Sequence, residues 1–366
     1  MEFKIFLTGD NHIGKKWNNY PEEVKRQLKD ARIDNLRKLV ALANDENCDL
    51  FIIAGDLFDY SKVAKRDIDV VAKILNQFSG TALVMPGNHD HYDERTKLWQ
   101  DFLASKGDNT ILLNSWTPFY LDDLDIYIYP AYCHQKHCEH NVLGWIKREE
   151  KGFLHIGVAH GSLQNLSPDL ENKYFQMNEK ELEERGLDLW LLGHTHIPYP
   201  GEKEVKDRKI FNAGTPEPDG LDCRHPGYAW LITIDEDRKI TGKSIETGIY
   251  RFYDLEWTIC SDFDLDNLKR ELLENKPEKK VVRLTLKGRV DKELSDKLLD
   301  DLKEIEEKLF YLDIQNHLNL KITEEDIQRE FSENSFPYKM LKTLLEEDED
   351  ALQLAYELIR GCKYEN

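Results

Sequence analysis

The sequence predicts an α/β fold in which a β-sandwich flanked by helices is followed by a smaller C-terminal α/β cap and a helical tail. Five short apolar runs have the length of buried strands, and each ends in glycine, aspartate, histidine or Pro-Gly. Apolar residues at helical spacing separate the first three runs. After His196 the pattern changes to closely spaced strands joined by turns.

The first half of the chain is predicted to alternate strands and helices. The strands are assigned to Phe3 to Thr8, Leu50 to Ala54, Ala82 to Met85, His155 to Ala159 and Leu189 to Leu192. Helices are predicted over Pro21 to Asn44 and over Ile68 to Phe78, where apolar residues recur every three to four positions. Because strands that are connected through helices run parallel, we expect a parallel core.

The region after His196 is predicted to form the second sheet of the sandwich. Its strands are assigned to Lys209 to Asn212, Gly227 to Ile234 and Ile240 to Glu246. A strand, a helix, a strand and a helix follow from Arg251 onward, at Tyr253 to Ile259, Asp264 to Glu274, Lys280 to Lys287 and Lys292 to Leu309. Leucines at helical spacing predict a helical tail over Pro337 to Gly361. We therefore divide the chain into residues 1–250, 251–335 and 336–366.

The composition is that of a soluble, acidic protein. Of the 366 residues 40% are hydrophobic and 33% are charged, and the formal net charge is -20. This balance excludes a generally basic nucleic-acid coat, so any contact with DNA must be local. No apolar stretch approaches the roughly 20 residues that cross a bilayer, and no signal peptide is apparent, so we expect a cytoplasmic protein without membrane contact. The six scattered cysteines predict reduced thiols.

Five short segments, each directly after an apolar run, supply seven polar side chains with metal-binding groups. They are Asp10, His12, Asp56, Asn88, His160, His194 and His196. An open α/β sheet keeps its ligand crevice where its strands end, and carboxylate, amide and imidazole groups suit divalent cations. A carboxylate can bridge two cations about 3.5–4 Å apart, so Asp56 is the predicted bridge. The alternative is that these residues only satisfy hydrogen bonds in the core and in turns.

The imidazole of His89 follows Asn88 directly and is not needed as a ligand. As an imidazolium it could stabilise charge on a phosphoryl group or protonate a leaving oxygen, so His89 is the predicted catalytic residue. The alternative role is structural support of the ligands. Because the candidate ligands offer oxygen and nitrogen but no thiolate, two Mn²⁺ ions are favoured, with iron or zinc as alternatives.

The motifs D-x-H, G-D, G-N-H-D/E, H and G-H-x-H occur in this order, and the chain resembles the calcineurin-like metallophosphoesterase superfamily over about residues 1 to 250. The resemblance implies a four-layer metallophosphoesterase β-sandwich flanked by helices and a two-metal-activated hydroxide. It also implies two ligand sets that share the bridging aspartate. One set is Asp10, His12, Asp56 and His196, and the other is Asp56, Asn88, His160 and His194.

Within that superfamily the chain is similar to SbcD-like exonuclease subunits that repair DNA double-strand breaks. The similarity lies in Gly55 to Asp59, in Asn212 to Pro216 and in the strand Val281 to Gly288. It implies DNA as substrate, an SbcC-like ATPase whose coiled coil binds the helical tail, and a homodimer. Those nucleases usually carry histidine where this chain has Asp59, whose carboxylate would repel a phosphodiester.

Other functions stay open on the sequence alone. A phosphomonoesterase or cyclic-nucleotide phosphodiesterase could use the same dinuclear site, and a metal-bound scaffold without turnover is a third alternative. The tail helices could equally serve only to cover the cap.

Residues after the first motif mix cations with aromatic rings, as a groove for a nucleic-acid backbone would. They are Lys15, Lys16, Trp17 and Tyr20. Asp59 is also predicted to lie near the substrate. Lys62, Lys65 and Arg66 could form the facing wall. The alternative is an ordinary solvated loop. The segment Cys133 to His140 holds two thiols and three imidazoles, but its spacing differs from that of zinc knuckles, so a polar loop is expected there rather than an extra metal site.

Overall fold

The computed structural model of the protein describes residues 2–166 and 173–364. Its strands are β1 (Phe3–Thr8), β2 (Leu50–Ala54), β3 (Thr81–Met85), β4 (Thr110–Leu112), β5 (Phe119–Leu121), β6 (Ile126–Ala131), β7 (Leu154–His160), β8 (Leu189–Gly193), β9 (Glu204–Lys206), β10 (Ile210–Asn212), β11 (Tyr228–Ile234), β12 (Ile240–Glu246), β13 (Arg251–Thr258), β14 (Lys280–Val290) and β15 (Tyr311–Leu320). Its α-helices are α1 (Glu22–Asp45), α2 (Lys65–Leu75), α3 (Lys97–Ser105), α4 (Glu179–Glu184), α5 (Asp262–Leu273), α6 (Lys292–Lys308), α7 (Glu324–Glu330), α8 (Phe336–Glu347) and α9 (Glu349–Tyr364).

The chain divides into two compact units. The first comprises Met1–Tyr253 with Lys279–Val281, and the second comprises Asp254–Glu278 with Val282–Asn366. The domain boundaries predicted at residues 250 and 335 remain predictions.

The first unit contains two sheets that pack face to face. One sheet has the strand order β4-β3-β2-β1-β11-β12-β9, and the other has the order β10-β8-β7-β6-β5. Successive residues of β1 are buried on opposite faces of its sheet: Phe6 packs under the helices, whereas Ile5 and Leu7 pack against the second sheet. Such double burial explains why these strands are continuous apolar runs.

Helices cover the outer faces of this sandwich. Side chains of α1, α2 and α3, such as Leu36, Val71 and Phe102, pack on the seven-stranded sheet. Leu182 of α4 packs with Trp190 on the outer face of the five-stranded sheet. The predicted α/β class with a helix-flanked sandwich is therefore confirmed.

The assignment of strands to sheets differs from the prediction. Strands β11 and β12 were expected in the second sheet, but β11 pairs antiparallel with β1, from Phe3 opposite Ile234 to Leu7 opposite Trp230. Only β10 joins the second sheet, where β6, β7, β8 and β10 run parallel. The parallel core is thus divided between two sheets. Both sheets bury the same kind of apolar face, so the sequence pattern does not identify a strand's neighbours.

The second unit contains the three-stranded sheet β13-β14-β15 and the helices α5 to α9. The predicted strand, helix, strand and helix are present, and the predicted tail forms α8 and α9. These two helices share an apolar cluster with α7 that includes Ile327, Leu341 and Leu352. Strand β15 and helix α7 were not predicted. Over the described part of the chain, no helix combines the length and the apolar character needed to cross a membrane.

Candidate metal centre

The seven predicted ligands lie on loops that directly follow β1, β2, β3, β7 and β8, with His160 at the last position of β7. Strands from both sheets end here, so the loops converge at one end of the sandwich. Five of the seven residues are at most 2% exposed: Asp10, His12, Asp56, Asn88 and His160. The structure therefore gathers polar side chains from distant parts of the sequence in a buried place.

One group of donors surrounds the Nε2 atoms of His12 and His196. These two atoms lie 3.1 Å apart. His196 Nε2 lies 3.7 Å from Asp10 Oδ1, and His12 Nε2 lies 3.8 Å from Asp56 Oδ2. Donor atoms of Asp10, His12 and His196 all lie within 4.8 Å of one another. This spacing is compatible with a shared cation.

A second group surrounds the side-chain oxygen of Asn88. His194 Nδ1 lies 2.9 Å from Asn88 Oδ1, and His160 Nε2 lies 3.0 Å from it. His160 Nε2 is also 3.4 Å from Asp56 Oδ2. The same Asp56 oxygen thus neighbours a histidine of each group, which is the position that a bridging carboxylate requires.

The chemistry of this donor set fits divalent cations. Burying two carboxylates costs several kcal/mol per ion unless charge of the opposite sign accompanies them. In the described residues, the ion-pair partners of Asp10 and Asp56 are all histidines. Neither lysine nor arginine is among them, so the two carboxylates and the imidazole and amide donors point at a space that suits cations.

Burial and neighbouring charge move the pKa values of these groups in different directions. Burial raises the pKa of Asp10 to about 6 and lowers the pKa of His12 to about 4. Although burial opposes it, the charge of Asp56 raises the pKa of His160 to about 9, and Asp219 does the same for His196. Because a metal ligand must be deprotonated, cation binding here would release protons.

The backbone turns sharply where the ligands begin. Asp10, His12, Asp56 and His194 have positive φ angles of 51°, 46°, 52° and 93°. Residues other than glycine adopt this left-handed region at a cost of about 1–2 kcal/mol each, and such strain concentrates at functional sites. The loops restrain one another, since the amide of His194 donates to Asp10 Oδ2 at 3.0 Å and the amide of His89 donates to Asp56 Oδ1 at 2.8 Å.

Two glycines allow the loops to approach closely. A Cβ atom on Gly55 would lie 2.1 Å from His160 Nδ1, and one on Gly87 would lie 2.2 Å from Asp56 Oδ1. Gly55 also has a φ of 94°, whereas Gly87 has no positive φ. A side chain at either position would displace a candidate ligand.

The imidazole of His89 is held by a backbone contact at Nδ1, which leaves Nε2 on the opposite side of the ring. Its Nδ1 donates to the carbonyl oxygen of Asp59 at 2.9 Å, and its ring meets the ring of His12 edge-on at 4.8 Å. Because Nδ1 is engaged, Nε2 is the atom that can act on a substrate. Asp90 fixes this loop, since its carboxylate accepts from the amides of Phe58 at 3.0 Å and Gly87 at 2.7 Å.

Two further carboxylates stand behind the first group of donors. Asp59 Oδ1 lies 3.3 Å from His12 Nδ1, and Asp219 Oδ2 lies 3.1 Å from His196 Nδ1. Asp59 was expected near the substrate but faces His12. Asp219 was missed because its segment shows only a turn signal and lies 23 positions after His196 in the sequence.

The other predicted substrate residues differ in their surroundings. Lys15 Nζ pairs with Asp219 at 3.2 Å, and Lys16 is exposed, with Nζ 4.9 Å from the centre of the Tyr60 ring. Trp17 was expected to stack on bases, but it is 6% exposed and stacks on Phe252 at 5.6 Å. Tyr20 meets Trp17 edge-on at 5.8 Å. Trp17 therefore belongs to the core and offers no exposed stacking face.

A cavity of about 610 Å³ opens beside the candidate ligands His194 and His196. Ile197, Asp219 and the exposed Arg224 also line it. Clefts of about 300–1,000 Å³ commonly bind small molecules.

The segment Cys133 to His140 does not gather into a metal site. Among the described residues, the three groups of histidines and carboxylates that could hold a cation all belong to the centre described above. Cys133 is buried with Sγ 3.4 Å from the carbonyl oxygen of His160, and His134 packs against Trp116 and Phe175. An extra zinc site has no support in this geometry.

Two curated proteins are similar to the chain. The chain is similar to the uncharacterized metallophosphoesterase YhaO of Bacillus subtilis (strain 168), with 24% identity over 216 residues, 52% of this chain and 50% of that protein. It is also similar to the DNA double-strand break repair protein Mre11 of Saccharolobus solfataricus, with 28% identity over 198 residues, 53% of this chain and 49% of that protein. The chain thus spans about half the length of the curated relatives it matches.

The crystal structure of a dimetal phosphatase from Danio rerio resembles the chain with a TM-score of 0.37 and 12% identity, over 67% of this chain and 99% of that one. The model of the calcineurin-like phosphoesterase family matches residues 3–198, which is more than half of the sequence. The chain therefore belongs to the calcineurin-like phosphoesterase family.

Proposed function

We propose that the protein is a metal-dependent phosphodiesterase that cleaves DNA as the nuclease subunit of an SbcCD-like repair complex. The observation that carries this proposal is a local group of exposed cations next to the metal centre. The Saccharolobus relative, a DNA double-strand break repair protein, supports the same substrate.

The loops that follow β1 and β2 run side by side. The amide of Ile13 donates to Leu57 O at 2.9 Å, and the amide of Asp59 donates to Ile13 O at 3.0 Å. Both loops then continue into exposed basic residues, which we name the basic rim: Lys16, Lys62, Lys65 and Arg66. In a chain with a net charge of -20, cations concentrated here favour phosphate backbone at this position.

The proposed ligands are those of the two groups, with Asp56 shared: Asp10, His12, Asp56 and His196, and Asp56, Asn88, His160 and His194. When bound, two divalent cations, with Mn²⁺ as our choice, lower the pKa of water and offset the negative charge of phosphoryl oxygens. His89 Nε2, oriented by the contact of Nδ1 with Asp59 O, donates a proton to the leaving oxygen.

The C-terminal helices are the proposed contact for an SbcC-like ATPase. Phe336 and Met340 on α8 are 77% and 38% exposed, and Leu354 and Leu358 on α9 are 60% and 61% exposed. Each pair is spaced four residues apart, so each forms one apolar face of its helix. Such faces suit the apolar seam of a coiled coil. A homodimer remains part of the proposal.

The test compares substrates and variants in Mn²⁺. Purified protein is assayed on linear double-stranded DNA, single-stranded DNA and bis-p-nitrophenyl phosphate. Asp56→Ala should remove all three activities, and His89→Gln should keep Mn²⁺ binding but lose turnover. A Lys62→Glu/Arg66→Glu protein should lose DNA cleavage while hydrolysing the small diester normally, and Lys180→Glu on α4, where the side chain is 84% exposed, is the matched control.

Cleavage of the small diester without cleavage of DNA would contradict the nuclease assignment. If the basic-rim variant and the control variant lose DNA cleavage equally, the proposal that DNA lies along the basic rim is contradicted.

A second candidate function is the hydrolysis of a small phosphomonoester or cyclic nucleotide at the same dinuclear site. The cavity beside His194 and His196 favours it, because its volume of about 610 Å³ accommodates a nucleotide, Ile197 offers an apolar wall and Arg224 a cation for phosphate. Under this alternative, Arg224→Ala should raise KM for 2′,3′-cyclic nucleotides more than tenfold. DNA cleavage in the same preparation would favour the first function.

A further inference from the structure

We infer that the two cation positions are unequal, because Asp59 and Asp219 hold the imidazoles of His12 and His196 from behind and make their position the tighter one. The inference rests on the proposed dinuclear function. It adds a role for two carboxylates and the order in which the two positions bind cations. Asp59 and Asp219 are positioning residues, since they act through the histidines.

The two nitrogens of an imidazole point in opposite directions. In His12, Nδ1 faces Asp59 Oδ1 at 3.3 Å, and in His196, Nδ1 faces Asp219 Oδ2 at 3.1 Å. The Nε2 atoms on the far sides of both rings then converge to 3.1 Å. A carboxylate at Nδ1 keeps the proton on that nitrogen, orients the ring and makes Nε2 a more basic ligand.

The second position lacks this support. The Nδ1 atom of His160 donates to the neutral carbonyl oxygen of Ala54 at 2.8 Å, and Asn88 contributes a neutral amide. The carboxylates of Asp56 and Asp10 both reach this group, because an oxygen of each and a ring nitrogen of His160 lie within 4.8 Å of one another. The position of His12 and His196 has four carboxylates around it, namely Asp10, Asp56, Asp59 and Asp219. Electrostatic attraction therefore favours a cation there.

Asp59 and Asp219 differ in how much charge they contribute. Lys15 Nζ lies 3.2 Å from Asp219 Oδ2 and offsets part of its charge. Asp59 faces the imidazole of His12 and is 22% exposed at its side chain, against 13% for Asp219. Orientation of His196 is therefore the main contribution of Asp219, whereas Asp59 also contributes its charge.

The test is a Mn²⁺ titration of the metal-stripped 366-residue protein by calorimetry, with electron paramagnetic resonance to count free Mn²⁺. The wild type should bind two ions in two resolved steps. Asp59→Asn and Asp219→Asn should each weaken the tighter step by about 10–100-fold and leave the weaker step nearly unchanged. Asp59→Glu and Asp219→Glu should recover part of that affinity. Asp222→Asn is the matched control, because Asp222 is exposed on the same loop as Asp219.

Thermal unfolding in EDTA verifies that each variant is folded, and the glutamate variants replace any asparagine variant that is not. Two equal steps in the wild type, or variants that weaken both steps alike, would overturn the inference while leaving the dinuclear function intact. A wild type that binds no Mn²⁺ would overturn the proposed function and the inference together.

Discussion

Charged side chains are abundant in both units of the protein, but their surroundings differ. In the first unit, Asp10 and Asp56 are at most 1% exposed, and their ion-pair neighbours are imidazoles. In the second unit, acids lie on the surface beside their own cations, as in the pairs of Arg283 with Asp254 at 2.5 Å and Lys287 with Glu256 at 2.6 Å. The same residue types thus form a candidate site where they are buried without lysine or arginine, and a solvated surface elsewhere.

The two regions also depend on different features of the chain. The second unit is built on apolar spacing, with Leu294, Leu298 and Leu302 buried along α6. The candidate metal centre depends on backbone shape, because four of its seven candidate ligands have positive φ angles and its loops approach closely at glycines. Small changes in backbone shape should therefore harm the site far more than the loss of charge harms the second unit.

The largest effect is expected from Gly87→Ala. The added Cβ atom would lie 2.2 Å from Asp56 Oδ1, so the proposed bridging carboxylate must move. Misplacement of a catalytic group by about 1 Å costs on the order of 100-fold in rate, and we expect at least this loss of hydrolysis together with weaker Mn²⁺ binding. The measurements are the hydrolysis of bis-p-nitrophenyl phosphate and a Mn²⁺ titration.

Gly144→Ala is the control for this substitution, since a Cβ atom at residue 144 meets nothing within 4 Å. Normal hydrolysis by the Gly87 variant would show that the loops are more adaptable than their packing indicates.

A smaller effect is expected from Asp90→Ala. Its buried carboxylate accepts from the amides of Phe58 and Gly87 and so joins the loops after β2 and β3. Each amide left without an acceptor costs about 1–3 kcal/mol, which should appear as a lower free energy of unfolding in urea. Asp108→Asn, at an exposed position, should leave stability unchanged. An equal loss in both variants would contradict the role given to Asp90.

Much of this centre could be predicted from the sequence because its ligands follow buried strands. The strands β1, β2, β3, β7 and β8 are almost wholly buried, so each reads as an apolar run with its ligand just beyond the end or, in β7, at its last residue. The carboxylates behind the histidines could not be assigned, since Asp59 and Asp219 meet His12 and His196 only after the loops fold. In the sequence, Asp59 only follows the end of a strand and Asp219 only lies in a turn, so neither position indicates a histidine partner.

The fold was predicted less completely in the second unit. Strand β15 was missed although Leu312, Ile314, Leu318 and Leu320 alternate with polar residues, because Asn316 interrupts the alternation and the residues from Asp313 to His317 are all exposed. Strands β11 and β12 were recognised but placed in the wrong sheet. Their pairing with β1 depends on which edge is open, and that is a property of the assembled sheet rather than of the strand.

A still smaller effect is expected in the second unit from Arg283→Ala. Arg283 and Asp254 pair on neighbouring strands with side chains 38% and 44% exposed. Solvated pairs of this kind contribute about 0–1 kcal/mol, so the free energy of unfolding should fall by less than about 1 kcal/mol. The difference from wild type should shrink in 1 M NaCl, where charges are screened over about 3 Å. A loss of several kcal/mol that persists in salt would show that Arg283 stabilises this unit by something other than a solvated ion pair.

The smallest effect concerns His155, which shares β7 with His160 and is equally buried at 1% exposure. Its Nδ1 contacts the hydroxyl of Tyr129 at 2.8 Å, and burial and the charge of Arg148 lower its pKa, whereas Asp56 raises that of His160. The native state therefore binds fewer protons at His155 than the unfolded chain does, so stability is lost as pH falls below about 6.5. In EDTA, His155→Gln should reduce the fall in unfolding free energy between pH 7.5 and pH 5.5, as measured in urea. An identical fall in wild type and variant would mean that His155 titrates alike in both states, and that burial does not suppress its charge.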